Sequence, residues 1–141
     1  MLKGRTHEAV SSAAVLVSGE TGKRSLILDG SRTIDPYFMV HQVKKMDLSV
    51  EEILGKITIG RAFTAYQLKD LVDKAERNLK KNEDFALLGT IGLSAKFEDD
   101  QLSAEEGRWL RSKVSRRIKK MVEEESLYGI AVDTEPWIFK H

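Results

Sequence analysis

The residues able to do chemistry are few and scattered in this chain. Asp29 closes the short apolar run Leu26-Ile27-Leu28 and precedes a glycine, while Asp35 stands just before Pro36. Two carboxylates so placed could serve acid–base work, but a turn and a helix start explain Asp29 and Asp35 equally well. His7, His41 and His141 lie far apart and show no metal-ligand spacing, which leaves surface or helix-packing histidines as the ordinary reading. Ser11, Ser12 and Ser18 have no associated base, so nucleophilic catalysis has no case. Cysteine is absent, which excludes disulfides, thiolate metal sites and thiol nucleophiles. Seven basic residues crowd between Arg108 and Lys120, and Lys113, Arg116, Arg117 and Lys120 are expected on one exposed flank of a helix. Such a flank is either a solvated face or a site for a nucleic-acid backbone or an acidic partner. Glu123-Glu124-Glu125 follow and offset it, and Trp109 is its only aromatic neighbour, so the interleaving typical of single-strand binders is thin.

The elements that must position these groups alternate. With 141 residues, 32% charged and 41% apolar, the chain reads as one globular domain spanning 1–141. A formal net charge of +1 says nothing for or against a nucleic-acid partner. No apolar run approaches the roughly 20 residues a bilayer span requires, and no signal peptide is evident, so a cytoplasmic protein is expected. Val10, Ala13, Ala14 and Val17 recur at helical spacing. A strand follows at LILDG, then a helix opened by Pro36 and running to about Met46. Ser49 with Glu52 signals a capping box before a second short helix that Gly55 stops. Ile57 and Ile59 share one face of a strand. Leu68, Leu71, Val72, Ala75 and Leu79 share one helical face. DFALLGTIGLS predicts a buried strand, KFEDDQ an acidic loop, residues 103–126 a long helix, and YGIAVDTEP a last strand. Strands alternating with helices predict an α/β domain with a mostly parallel sheet covered by helices.

Taken in order, the segments resemble the core of the RecA/RadA recombinase family, most closely the archaeal RadA type. The resemblance is carried by LILDGSRTIDPYFM, by DLSVEEILGKITIGRAFTAYQLKDLVDKA with its strand ending at Arg61-Ala62-Phe63, and by DFALLGTIGLSAKF. It continues through LSAEEGRWLRSKVSRRIKKM and LYGIAVDTE. It spans nearly the whole chain collinearly, and order and spacing make the case more than any one motif. The implied fold is a reduced RecA-like one without a complete phosphate loop. Gly4-Arg5-Thr6 stands where that loop would end, and is expected as its remnant. Guanidinium and ammonium are not interchangeable in so tight a loop, and helix entry explains the tripeptide as well.

The resemblance also implies where chemistry is missing. Ser31 stands where family members carry the glutamate that polarises water, and a serine is no base at neutral pH. Ile91 stands where a magnesium-facing aspartate would be. Near DTEPW, Glu135, Pro136 and Trp137 occur where a phosphate-sensing glutamine would lie. The family's first DNA loop falls at SAKFEDDQLSAEEG, whose Glu98, Asp99 and Asp100 repel phosphate. The expectation is a non-catalytic accessory or regulatory protein of DNA recombination or repair, with no cofactor and no metal, acting through protein contacts. A homodimer or a recombinase-like partner is expected, and EPWIFKH, with Trp137, Ile138 and Phe139, is the segment expected to fill a sheet edge or a dimer contact. Two alternatives stand beside it: a nucleotide-binding protein or weak ATPase completed by a partner subunit, and a basic-helix nucleic-acid binder unrelated to recombination.

Overall fold

A strand with no polar face has to lie inside a sheet covered on both sides. Phe85–Ile91 is such a strand, buried at all seven positions. The computed structural model describes residues 6–81 and 84–133. Its elements run α1 (Thr6–Thr21), β1 (Arg24–Asp29), α2 (Pro36–Lys45), α3 (Val50–Leu54), β2 (Ile57–Arg61), α4 (Ala65–Lys81), β3 (Phe85–Ile91), α5 (Ser94–Phe97), α6 (Ala104–Glu124) and β4 (Tyr128–Val132). The four strands form one sheet in the order β2-β1-β3-β4, and every pairing is parallel. The fold is α/β with an all-parallel sheet flanked by helices.

Because side chains alternate across a strand, the sheet feeds two separate cores. Ile27, Leu87 and Ile91 point to one face, where they meet Val10, Val15, Met39, Val43 and Ile53 from α1, α2 and α3. Leu26, Leu28 and Leu88 point to the other, where they meet Leu68, Val72, Leu79, Leu110, Val114 and Ile118 from α4 and α6. The apolar stripe predicted for α4 is the buried one, with Leu71 only partly covered at its margin, and α6 buries Leu110, Val114 and Ile118 with Val122 at its edge.

Local signals set the helix ends. The Asp35 carboxylate accepts from Tyr37 N at 2.9 Å, and Pro36 occupies the first helical turn, where a missing N–H costs nothing. Ser49 caps α3 by accepting from Glu52 N at 3.3 Å. The reciprocal capping box expected at Ser49 forms instead at Ser103: its hydroxyl accepts from Glu106 N, and the Glu106 carboxylate accepts from Ser103 N. The Glu106 carboxyl is held below its ordinary range by that backbone bond and by the Ser103 hydroxyl. The stretch predicted as an acidic loop begins with a single turn of helix, α5, too short for an apolar period to reveal.

α1 runs back along the sheet. Near its end, Ser18 Oγ meets Ser25 Oγ at 2.7 Å, at the start of β1. Halfway, Val10 packs on Gly89, so closely that a Cβ there would lie 2.6 Å from a Val10 methyl. The first turn of α1 therefore stands at the edge of the sheet where β1 and β3 end. In open parallel sheets that edge, at the point where successive connections leave in opposite directions, is where ligands bind. Here the point lies between β1 and β3.

Candidate functional site

The register brings the strand ends level: Asp29 lies opposite both Arg61 and Ile91, and Ile91 opposite Val132. Beyond them the segments after β1 and β3 run against each other. Gly30 N donates to Ile91 O at 2.8 Å, and Gly92 N donates to Val132 O at 2.9 Å. A Cβ on Gly30 would sit 2.8 Å from the Gly92 carbonyl oxygen, and one on Gly92 would sit 2.6 Å from Ser31 Cβ. Gly92 also has a φ of +60°, a conformation that side chains disfavour. The two glycines let the segments after β1 and β3 close on each other.

Asp29 is buried, and its carboxylate is engaged by the turn that follows. Oδ1 accepts from Ser31 N at 2.8 Å, from Ser31 Oγ at 2.8 Å and from Arg32 N at 3.1 Å. This is the side-chain turn that aspartate makes readily, and it supports the left-handed backbone of Arg32 (φ 61°). Oδ2 is buried without a hydrogen bond, and Arg61 Nε approaches it at 3.7 Å. The Ser31 hydroxyl is shared between Asp29 and Thr33 Oγ1, the latter at 2.7 Å. Arg32 lays its guanidinium 4.0 Å above the Phe63 ring. Ile91 is wholly buried in the α1–α2 core, and burying such a side chain stabilises by about 1.5–3 kcal/mol.

At the far side of β3 the Asp133 carboxylate accepts from Ser94 N at 2.9 Å and from the Ser94 hydroxyl. That pair ties the end of β4 to the start of α5. His7 bonds Ser11 through Nδ1 at 3.1 Å and meets the Phe38 ring edge-on at 5.4 Å. It packs α1 against α2, and among the described residues no group of acidic or histidine side chains is arranged to hold a metal. Of the phosphate-loop remnant, Thr6 is the first residue of α1, whereas Gly4 and Arg5 lie outside the described residues. Glu135, Pro136, Trp137 and the rest of the EPWIFKH segment lie outside them too. Among the described residues no helix is long and apolar enough to cross a membrane.

The basic flank of α6 is not a single exposed face. Arg117 turns onto α4, where Nη1 lies 2.6 Å from Asp73 Oδ1 and Nη2 lies 3.1 Å from Glu76 Oε2. Burial opposes its charge, yet the bonds to Asp73 and Glu76 outweigh it and hold the guanidinium more firmly protonated. Lys120 Nζ lies 3.8 Å from Glu124, and Arg116 Nη1 donates to Ser112 Oγ at 3.3 Å. Lys113 leans over the Trp109 ring at 4.8 Å. The expectation of four exposed cations is corrected for Arg117 and Lys113, both half-buried: Lys113 lies over Trp109, and helical spacing within α6 cannot see which acids α4 presents to Arg117. Asp73 and Glu76, three apart on α4, were the available signal.

Two hollows flank the first turns of α6. One, of about 370 Å³, is lined by charges of both signs, including Glu98, Asp99, Arg108 and Arg111. The other, of about 160 Å³, lies between α4 and α6 among Ala65, Tyr66, Leu102, Trp109 and Leu110. Tyr66 and Trp109 are 58% and 56% exposed, far more than large aromatic rings in a core. Sequence reasoning noted Trp109 but not Tyr66, since the two meet only when α4 packs beside α6.

The class these features define is a four-stranded parallel α/β domain in which two glycines pack together after β1 and β3, and in which Tyr66 and Trp109 are exposed beside a hollow between α4 and α6. No protein-family model matches the chain, and a search of curated proteins finds no match in sequence.

Proposed function

We propose that this is a non-catalytic protein of the RecA/RadA type, an accessory or regulatory factor in DNA recombination or repair that works in the cytoplasm through protein contacts. One observation carries the non-catalytic half of this reading: Ile91 is an integral part of the core where a magnesium-facing carboxylate would be needed. Metal-assisted phosphoryl transfer is nearly all positioning and electrostatics, so an aliphatic residue there removes the oxygen that would hold the metal's water shell. Ser31, in the position of the base, donates its hydroxyl to Asp29 and accepts from Thr33 Oγ1. The recombination half rests on the collinear segments that resemble the recombinase core, a fold-level warrant. The partner is a second copy of this chain or a recombinase-like protein.

The test is a strand-exchange reaction driven by an archaeal-type recombinase, with this chain titrated in. The reading expects a dose-dependent change in the rate of exchange and no ATP turnover by the chain alone. Unchanged exchange at molar excess would remove the recombination half, and turnover by the chain alone would remove the non-catalytic half. The alternative of a weak ATPase completed by a partner subunit would show as turnover only in the mixture, above that of the recombinase itself.

A further inference from the structure

The sheet is open beside β4. Among the described residues β4 pairs with β3 alone, so the outer row of its backbone N–H and C=O groups has no strand next to it. Such a row is a template for a further strand, and edges are ordinarily blunted by charge, by proline or by a covering segment. The β4 sequence YGIAV carries neither charge nor proline, whereas β2, at the opposite edge, ends in Arg61.

Its side chains also suit an inner strand, apolar on both faces. Ile130 and Val132 join the core under α1, and Ala131 joins the core under α6, yet all three are only half-buried. Ala13 and Val17 of α1 are half-buried against the first of these cores, and Leu16, next to Val17 in sequence, is 49% exposed. Val122 of α6 is half-buried against the second. Apolar surface is therefore left incompletely covered above and below the open edge.

A second copy of β4 is the poorer occupant. It would pair antiparallel across a two-fold axis normal to the sheet, which sets α1 beside α1 and α6 beside α6. Arg117 faces α4, so Arg111, Ser115 and Lys119, at four-residue spacing on the opposite flank of α6, stand on the β4 side. No acidic residue lies between Arg111 and Lys119 in sequence, and neither cation has an ion pair among the described residues. Two copies of that flank would repel each other.

The residues that follow β4 in the chain start at this edge already. Asp133, held to Ser94, stands at the end of β4, and residues 134–141 come next, outside the described residues. Pro136 has no N–H to give to a ladder, so residues 133–136 make a four-residue link, a common hairpin length. Residues 137–141, WIFKH, then supply five positions for the five of β4, opening with three residue types that favour strands. In this register Trp137 stands opposite Val132 and Phe139 opposite Ile130, which puts both rings on the α1 face. Ile138 stands opposite Ala131 on the α6 face, the face of Val122.

We infer that residues 137–141 pair antiparallel with β4 of the same molecule, as a fifth strand that covers the open edge and the apolar surface on either side of it. This pairing does not depend on the recombination reading.

Because the chain has no cysteine, an introduced pair reports the register. Ala131→Cys with Ile138→Cys is expected to close a disulfide within one chain under mild oxidation. Ala131→Cys with Lys140→Cys, displaced by two residues, should close about fivefold more slowly or less readily still, since the bond needs Cα atoms roughly 4.4–6.8 Å apart. In a separate protein, Trp109→Phe leaves Trp137 as the one tryptophan, and Trp109 is exposed enough for the fold to bear that change. Trp137 emission is expected to be blue-shifted and quenched by acrylamide at no more than about a third of the rate for free tryptophan, at every protein concentration. Equal closure rates for the two cysteine pairs, or no closure of the first, overturn the pairing. So does a disulfide that forms only between chains and faster at higher concentration, which would hand the edge to a second copy. Trp137 emission like that of free tryptophan overturns it as well.

Discussion

The end of the central strands and the seam between α4 and α6 treat their most conspicuous residues in opposite ways. At the ends of β1 and β3 the central groups are inward: Ile91 is wholly buried, Asp29 caps the turn after β1, and Gly30 presses against Gly92. At the helix seam the rings of Tyr66 and Trp109 stay in water although a hollow lies beneath them. The difference teaches that the ends of β1 and β3 are tightly packed, whereas Tyr66 and Trp109, like Tyr37 and Tyr128, remain largely in water.

That contrast is open to direct attack. The largest effect is expected from Ile91→Asp, which restores a carboxylate at the strand end. An acid replacing a fully buried aliphatic side chain forfeits its packing and strands a polar group, a cost of at least about 4 kcal/mol. Urea denaturation reads it, and the variant should gain no ATP turnover. A nearly unchanged midpoint would mean that the strand ends are open to water. Next comes Gly92→Ala, where a methyl must share space with Ser31 Cβ at positive φ, for a loss of about 2–4 kcal/mol in the same assay.

A smaller effect attaches to the pair of helices behind the seam. Arg117→Ala removes the cation that Asp73 and Glu76 share, leaving Lys80 alone on Glu76, and should cost about 1–2 kcal/mol at neutral pH. The loss should shrink in acid. Burial pushes the Glu76 carboxyl up, but hydrogen bonds from Arg117 and Lys80 outweigh this and leave it below its ordinary value. A carboxyl depressed in the folded state contributes stability that is complete above its unfolded value and fades as the pH falls through the folded one. Denaturation of the Arg117→Ala and wild-type proteins across the acid range should therefore converge at low pH. Curves that stay parallel would show that Glu76 gains nothing from Arg117. Smallest of all, Trp109→Ala should move the midpoint by no more than about 0.5 kcal/mol, since its ring is largely in water. A loss of several times that would place Trp109 in the core and close the contrast.

Much of the fold was legible in the sequence because it rests on local signals. The nearly continuous apolar run of β3, the Asp35-Pro36 helix start and the stripe Leu68-Val72-Ala75-Leu79 each name an element without outside help. α5 was not legible, because one turn is too short for a period. The capping box was assigned to Ser49 when the reciprocal version sits at Ser103, since Ser49-Glu52 and Ser103-Glu106 have the same spacing and only geometry separates them. At the candidate site, the absence of a carboxylate at Ile91 could be read from residue type. The Gly30–Gly92 closure, the Arg117 bridge to α4 and the meeting of Tyr66 with Trp109 could not, because each joins segments dozens of residues apart. Pairwise approach of that kind leaves no periodic trace.

The proposal that the chain binds no nucleotide is tested most directly by titrating the full chain with magnesium-ATP in a calorimeter. The account predicts no binding heat up to millimolar nucleotide. Saturable binding in the micromolar range would contradict it, because a nucleotide would then be held although Ile91 belongs to the core and Ser31 is engaged by Asp29.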